Sequence, residues 1–215
     1  MAQPRPSRFL MASAGMLAVA LLAACTGLPK VAPTYAVHDF GAPDPVAARS
    51  LGFPLRNIEV VAAPWLASTA MQYRLAYAQA TRRQGYVESR WAAQPAQLVE
   101  LALKRAIRTG EAGVAGACRL RVELDEFVQV FDRETTSRGV VEARAVLLAP
   151  RTDQIVASRS FSLAQPAPSA DALGGVSALR GGVQGLGGEL FGWLDALDRE
   201  GAARSGSSLR SRCGA

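Results

Sequence analysis

The sequence predicts an α/β (α+β) fold in which two main helices pack on one face of a single mixed, largely antiparallel sheet. Three successive segments in the second half of the chain alternate apolar and polar residues, which is typical of strands with one buried face. Two other segments repeat apolar residues every three or four positions, which is typical of amphipathic helices. Short polar turns join the three strands, which favours a meander that is covered on one side.

Residues 1–24 have the features of an export signal that is cleaved. They contain Arg5 and Arg8, no acidic residue, and an almost wholly apolar run over residues 9–24. That run is shorter than the roughly 20 residues that a membrane-spanning helix needs. It ends in the sequence Leu-Ala-Ala-Cys, which resembles the bacterial lipobox and implies cleavage before Cys25 and acylation of that residue. The alternative is an ordinary signal peptide that ends by chance at a cysteine.

Acylation would anchor the chain, because several acyl chains bind a membrane stably where one binds reversibly. Thr26 follows the cysteine, at the position where an aspartate favours retention in the inner membrane. By resemblance to lipoprotein sorting, this implies the inner leaflet of an outer membrane. Such a compartment is oxidising. For Cys118 and Cys213 two interpretations stay open: a disulfide, or a buried Cys118 with a free Cys213 near the end of the chain.

The chain has a net charge of +6, and its charged residues are interspersed. This pattern indicates solvated faces and predicts no nucleic-acid partner. The length left after the signal indicates one domain with a tether. Residues 25–56 are Pro-rich and are predicted to be that tether, with at most one short edge strand near Tyr35. His38, the only histidine, has no evident metal partners and is expected at the surface.

Residues 57–199 are predicted to form the folded domain. An apolar run from Ile58 to Pro64 predicts a buried strand. Alternation over residues 71–77 and a return over residues 86–88 predict a hairpin. A helix is predicted over residues 95–108, with a proline in its favoured first turn and a glycine just beyond its end.

The first strand of the meander raises a question about two aromatic residues. In "CRLRVELDEFVQVFD", Leu120, Val122, Leu124, Val128 and Val130 are expected on one face, and Glu126 interrupts that face at a bulge or where the strand leaves the core. Phe127 and Phe131 then fall on the opposite, polar face. Either a loop or edge covers them, or they contact a subunit or ligand, which makes them partner-surface candidates.

The last helix is predicted over residues 170–197, and it contains eight glycines between Gly174 and Gly192. Each exposed glycine costs about 1 kcal/mol relative to alanine, so packing must hold this helix, with a break near residues 181–182 or 187–188 as an alternative. Trp91 and Trp193 are expected to be structural and to pack the helices on the sheet. Residues 200–215 are predicted to be a disordered tail.

Sequence motifs for catalysis are missing from the chain. The Gly-rich segment "GGVSALRGGVQGLGG" lacks the Gly-Lys-Ser/Thr of a phosphate loop. Glycine-flanked serine elbows, metal-ligand clusters and paired cysteine motifs do not occur in the sequence. We therefore expect no catalytic residues, no metal and no cofactor.

The order of these segments resembles the ABC-type transport auxiliary lipoprotein family over about residues 35–197. The most specific part is the small strand that ends in Arg90-Trp91-Ala92, with Pro95 opening the next helix. The lipobox at the matching distance adds to it. Other matching stretches are "IEVVAAPWLAS", "MQYRL", "VEARAVLL", "VASRSFSL" and "ELFGWLDAL". The glycine-rich final helix departs from the family pattern.

The resemblance implies a lipoprotein on the periplasmic face of the outer membrane that is a non-catalytic auxiliary subunit of an MCE-type system. Such systems pair an ABC permease and ATPase with MCE-domain proteins and move phospholipids or other hydrophobic molecules across the envelope. The implied partners are the outer membrane, an MCE-domain protein and the permease–ATPase complex, with a homo-oligomeric ring as a further implication. The alternative is an outer-membrane assembly or structural lipoprotein without a transporter partner.

Overall fold

The computed structural model describes residues 34–42, 48–109, 116–205 and 208–213. The chain divides into two compact units, residues 1–34 and 35–215, and the elements below belong to the second. The predicted signal and Cys25 lie outside the described residues.

The described residues form nine strands, four α-helices and one 3₁₀ turn. The strands are β1 (Ala36–His38), β2 (Arg49–Ser50), β3 (Leu55–Ala62), β4 (Ala70–Leu75), β5 (Gln84–Trp91), β6 (Ile107–Arg108), β7 (Cys118–Arg133), β8 (Thr136–Leu148) and β9 (Ile155–Pro166). The helices are α1 (Ala76–Gln79), α2 (Pro95–Ala106), α3 (Ala172–Ser205) and α4 (Leu209–Arg212), and the 3₁₀ turn is Pro64–Leu66.

Seven strands form one mixed sheet in the order β1–β5–β4–β7–β8–β9, with β3 also paired to β7. The long strand β7 organises this sheet. One of its edges pairs antiparallel with β8, and the other pairs parallel with β3 over its first half and with β4 over its second. Strands β2 and β6 form a separate parallel pair. The predicted mixed α+β fold class is confirmed, and so are the β4–β5 hairpin and the β7–β8–β9 meander.

Helix α2 begins where the sequence predicts, at Pro95. The backbone N–H of Gln94 donates to Gln97 Oε1 over 3.1 Å, which caps the first turn. One turn later Glu100 Oε2 accepts the backbone N–H of Val60 over 3.0 Å. Burial opposes ionisation of Glu100, but the hydrogen bonds from Lys104 and Val60 outweigh it and lower the pKa of this carboxyl group. The helix therefore covers the edge of β3 that does not pair with β7.

Helix α3 is continuous from Ala172 to Ser205, so the alternative of a break at the paired glycines is wrong. Several of its glycines face the sheet at very short range. A Cβ atom on Gly175 would lie 2.1 Å from Gln129 Oε1, and one on Gly182 would lie 3.0 Å from Val141 Cγ2. These glycines let the helix backbone approach strands β7 and β8, and the packing gained offsets their poor helix propensity.

The structure places ordered elements within residues 35–56, which the sequence predicts to belong to the tether, and the short edge strand expected near Tyr35 is one of them. Strand β1 pairs parallel with β5, Phe53 and Leu55 are buried, and Phe40 packs against the core cluster. Because of the prolines and the lack of periodicity, the sequence does not predict the other elements. These short segments gain their order from contacts with distant strands, which local sequence patterns do not show.

The predicted disordered tail is also wrong for the described residues. Helix α3 extends past residue 200, and α4 follows it. The backbone N–H of Leu209 donates to Asp198 Oδ1 over 2.9 Å, and Cys213 forms a disulfide with Cys118 at the start of β7. Of the two interpretations left open for these cysteines, the structure has the disulfide.

Candidate partner-binding surface

Phe127 and Phe131 are not a partner surface. Their side chains are 2% and 7% exposed. The reason is a β-bulge: Leu124 pairs with Ala143 but Glu126 pairs with Glu142, so β7 carries one extra residue between them. The bulge inverts the alternation, and both phenylalanines therefore lie on the inner face of the sheet, the face that the helices cover.

Other aromatic side chains pack against both phenylalanines. Phe127 lies 5.4 Å from Trp91 and 6.2 Å from Phe40, measured between ring centroids. Phe131 lies 5.8 Å from Tyr73. Phe40, which lies in the segment predicted to be the tether, thus forms part of this cover. Trp91 lies on β5 within this cluster.

Trp193 is the tryptophan that joins a helix to the sheet. It lies on α3, is buried, and packs edge-on against Phe161 of β9 with 6.0 Å between ring centroids. Aromatic pairs in this arrangement stabilise a core beyond the area they bury.

The outer face of the sheet, opposite the helices, carries charged and small polar side chains, with the buried valines Val128, Val140 and Val146 between them. Exposed ion pairs cross its strands, among them Arg121–Glu59 at 3.7 Å and Arg138–Asp132 at 3.0 Å. Exposed pairs of this kind contribute about 0–1 kcal/mol each. They therefore add little to the stability of the fold.

One cluster on the outer face differs from those exposed pairs. We name it the Trp65 surface, and its members are Trp65, Gln72, Arg74, Arg83 and Glu126. Glu126 lies at the β7 bulge with its side chain only 14% exposed, and both arginines approach its carboxylate to 2.7 Å. Arg83 also donates to Gln72 Oε1 over 2.9 Å, and Gln72 donates to the carbonyl oxygen of Trp65 over 2.7 Å.

The network holds the aromatic ring of Trp65 at the surface. The ring is half exposed, and the Arg83 guanidinium lies 5.5 Å from its centroid. Two arginines against one carboxylate leave a positive charge at this point. Tryptophan and arginine are enriched among residues that dominate binding energy, and side chains already fixed lose less entropy on binding. This arrangement can bind another macromolecule.

Sequence analysis did not identify this surface. From the sequence, Pro64 is interpreted only as the end of a strand, and Trp65 belongs to no periodic pattern. The one available signal is a tryptophan directly after a proline at a strand end, where a turn exposes it. The arginines that hold it come from β4 and from the hairpin turn, and only the tertiary fold brings them to Glu126.

A buried polar network lies under the start of α3. Tyr86 donates its hydroxyl hydrogen to Gln129 Oε1 over 2.8 Å, and Gln129 Nε2 donates to Ser137 Oγ and to the carbonyl oxygen of Asp171. Burial raises the pKa of the Tyr86 hydroxyl far above its ordinary value, so it stays protonated as a donor. These contacts satisfy one another, and the network fixes α3 on β7.

The described residues bring together no group of three His, Cys, Asp or Glu side chains able to hold a metal ion. An open cavity of about 460 Å³ lies beside β2 and β6, lined by residues 50–55 together with Arg108, Thr109 and Arg210. Its lining pairs no nucleophile with a base. Within the described part of the chain, no helix has the length and apolarity to cross a membrane.

The domain thus packs helices on one side of a mixed sheet and presents an ordered, partly exposed tryptophan–arginine cluster on the other. A family model described as the ABC-type transport auxiliary lipoprotein component matches residues 58–190. The match covers more than half of the chain, and the chain belongs to this family. The resemblance stated from sequence is confirmed.

Solved structures show the same fold. A Xanthomonas campestris protein assigned to the DUF330 family model superposes with a TM-score of 0.62 at 21% identity, covering 80% of this chain and 97% of its own. An uncharacterized protein superposes with a TM-score of 0.57 at 15% identity, covering 75% and 99% respectively. At these identities the likeness concerns the fold alone. No curated protein sequence matches the chain.

Proposed function

We propose that this protein is an outer-membrane-anchored periplasmic lipoprotein and a non-catalytic auxiliary subunit of an ABC/MCE-type transport system. The system would move phospholipids or other hydrophobic molecules across the cell envelope. The observation that carries the proposal is the family match over residues 58–190. Its partners would be an MCE-domain protein and the ABC permease–ATPase complex, and several copies would form a ring.

The geometry supports a binding role over a catalytic one. The partly buried carboxylate of Glu126 is held between two arginines, and the buried amide of Gln129 is held in a hydrogen-bonded network, so neither is left free for chemistry. The Trp65 surface, by contrast, offers an exposed ring and positive charge with no group placed for proton or group transfer. We propose that it is the surface that meets the transport complex.

Co-purification tests the proposed partnership. Tagged full-length protein, solubilised from native membranes in mild detergent, is expected to recover an MCE-domain protein and the permease and ATPase subunits by mass spectrometry. An unrelated tagged outer-membrane lipoprotein is the control. Recovery of none of these subunits, while other envelope complexes survive the same detergent, would contradict the proposal.

The anchor is tested separately by Cys25→Ser, which removes the acylated thiol. We expect the variant to leave the membrane fraction, because the acyl chains supply the anchoring free energy. The measurement is fractionation after salt and carbonate washing, with the wild-type chain alongside. A variant that stays with the membranes would show that Cys25 is not the anchor.

A further inference from the structure

Exposed apolar side chains gather at one edge of the main sheet. Tyr35 precedes β1, Val37 lies on β1 and Val87 lies on β5, and they are 47%, 59% and 78% exposed. Strand β1 pairs with β5 alone among the described strands. We name this group, with Arg90 of β5, the β1–β5 edge.

Arg90 ties the two strands of this edge together. Its Nη1 donates to the carbonyl oxygens of Tyr86 and Ser89, and its guanidinium lies 5.7 Å from the centroid of the Tyr35 ring. Tyrosine and arginine both combine an apolar body with a polar head, which suits the boundary between water and lipid.

The same edge is poorly built for pairing with another strand. Strand β1 has only three residues. Strand β5 contains a bulge: Ala70 pairs with Arg90 and Gln72 pairs with Gly85, so more residues of β5 than of β4 lie between these two pairs. Short and bulged edge strands block the addition of a further strand. Protruding apolar side chains without a usable backbone edge favour a lipid surface over a second copy of the chain.

Chain connectivity limits how far this edge can lie from the membrane. The folded unit begins at Tyr35, ten positions after Cys25. Ten fully extended residues span at most about 35 Å, so an acylated Cys25 keeps Tyr35 within that distance of the lipid. This step rests on the proposed function, because it requires the acyl anchor at Cys25.

We propose that the β1–β5 edge lies on the membrane interface, with Val37 and Val87 at the level of the lipid headgroups. The exposed carboxylate of Glu88 beside Val87 keeps the edge out of the acyl region. This contact orients the domain, and it leaves the opposite edge of the sheet, at β9, directed away from the lipid.

The test uses the full acylated chain in vesicles of phosphatidylethanolamine and phosphatidylglycerol, with an environment-sensitive fluorophore on Val87→Cys. Ile155→Cys is the matched control, since Ile155 is a 62% exposed apolar residue on β9, at the other edge of the same sheet. The disulfide occupies Cys118 and Cys213, and the acyl chains occupy Cys25. We expect headgroup-attached nitroxide lipids to quench the label at position 87 and leave the label at position 155 bright. Val37→Cys is expected to behave like Val87→Cys.

Equal behaviour at positions 87 and 155 would overturn the proposal. A shift to shorter-wavelength emission at position 87 without quenching by nitroxide lipid would overturn it too, because the label would then lie against protein. Vesicle flotation separates the two proposals: a chain that floats with equal labels refutes the edge alone, and a chain that does not float refutes the anchor and the edge together.

Discussion

The two faces of the main sheet differ in the side chains that they carry. The inner face carries aliphatic and aromatic side chains that α2 and α3 bury, with glycines where the helix backbone comes closest. The outer face carries exposed ion pairs and the Trp65 surface. Buried area dominates folding free energy, whereas exposed ion pairs add little. The comparison teaches that stability resides mainly on the inner face, while the outer face carries the surface that we propose for partner binding.

The largest effect expected on the inner face is loss of the disulfide that joins β7 to the C-terminal segment. The bond links residues 95 positions apart. Cys118→Ser combined with Cys213→Ser is expected to lower the free energy of unfolding by about 2–5 kcal/mol. Denaturant unfolding of the double variant and of wild type, with and without reductant, measures this.

Reductant should destabilise the wild type and leave the double variant unchanged. Recovery of transport subunits should survive in the folded double variant, because the Trp65 surface lies on the other face. A double variant that stays folded but no longer recovers the transport subunits would contradict the separation of stability and partner binding between the two faces.

Two glycine substitutions compare a position in close helix–sheet contact with a position that faces open space. A Cβ on Gly139 of β8 would lie 2.7 Å from the backbone nitrogen of Leu179, and backbone cannot yield as a side chain can. Gly139→Ala is expected to cost about 1–3 kcal/mol. Gly192 of α3 has open space at its Cβ position, so Gly192→Ala is expected to stabilise by up to about 1 kcal/mol.

Thermal unfolding of the two variants measures both signs. Equal effects of Gly139→Ala and Gly192→Ala would contradict close helix–sheet contact as the reason for the glycines.

Asp171 predicts a smaller, pH-dependent effect at the start of α3. The backbone N–H of Gly174 and the hydroxyl of Ser169 donate to its carboxylate, each over 2.8 Å, which lowers the pKa of this group below its ordinary 3.8. A lowered folded-state pKa gives stability that is present above pH 3.8 and is lost as the pH falls through the folded-state pKa. Asp171→Ala is expected to cost about 1 kcal/mol at neutral pH.

Asp171→Asn is the matched control, because asparagine also caps a helix but does not titrate. The unfolding free energy of both proteins is measured from pH 7 to pH 2.5. As the pH falls, the wild type should lose more stability than Asp171→Asn. A difference in unfolding free energy that stays constant over this pH range would show that ionisation of the Asp171 carboxylate does not contribute to stability.

Sequence patterns were sufficient for the elements with strong periodicity. The meander follows from the alternation of apolar and polar residues, and α2 follows from the helical spacing and from Pro95. The bulge near Glu126 was one of two alternatives, and choosing it would have placed Phe127 and Phe131 in the core. Periodicity cannot show on its own that one extra residue has inverted the alternation, since the partner strand decides it.

The outer-face site was beyond sequence reasoning for a different reason. Glu126 is more than 40 positions from Arg74 and Arg83 in the chain, and no sequence pattern pairs it with either arginine. Their convergence depends on β4 lying parallel beside the second half of β7. The extra order in the N-terminal and C-terminal segments likewise comes from Phe40 and Cys213, whose partners are distant in sequence.

The smallest effect on stability is expected at Trp65, where it sharpens the comparison most. Trp65→Ala removes a half-exposed ring from the outer face and should change the unfolding free energy by no more than about 0.5 kcal/mol. If this ring is a binding hot spot, the same variant should weaken partner binding by about 2 kcal/mol or more. Co-purification of tagged Trp65→Ala measures the loss, with Ile155→Ala on β9 as the exposed apolar control. Unchanged subunit recovery by Trp65→Ala would place the docking site elsewhere, and equal losses in both variants would mean that exposure alone, and not the arginine–tryptophan arrangement, determines binding.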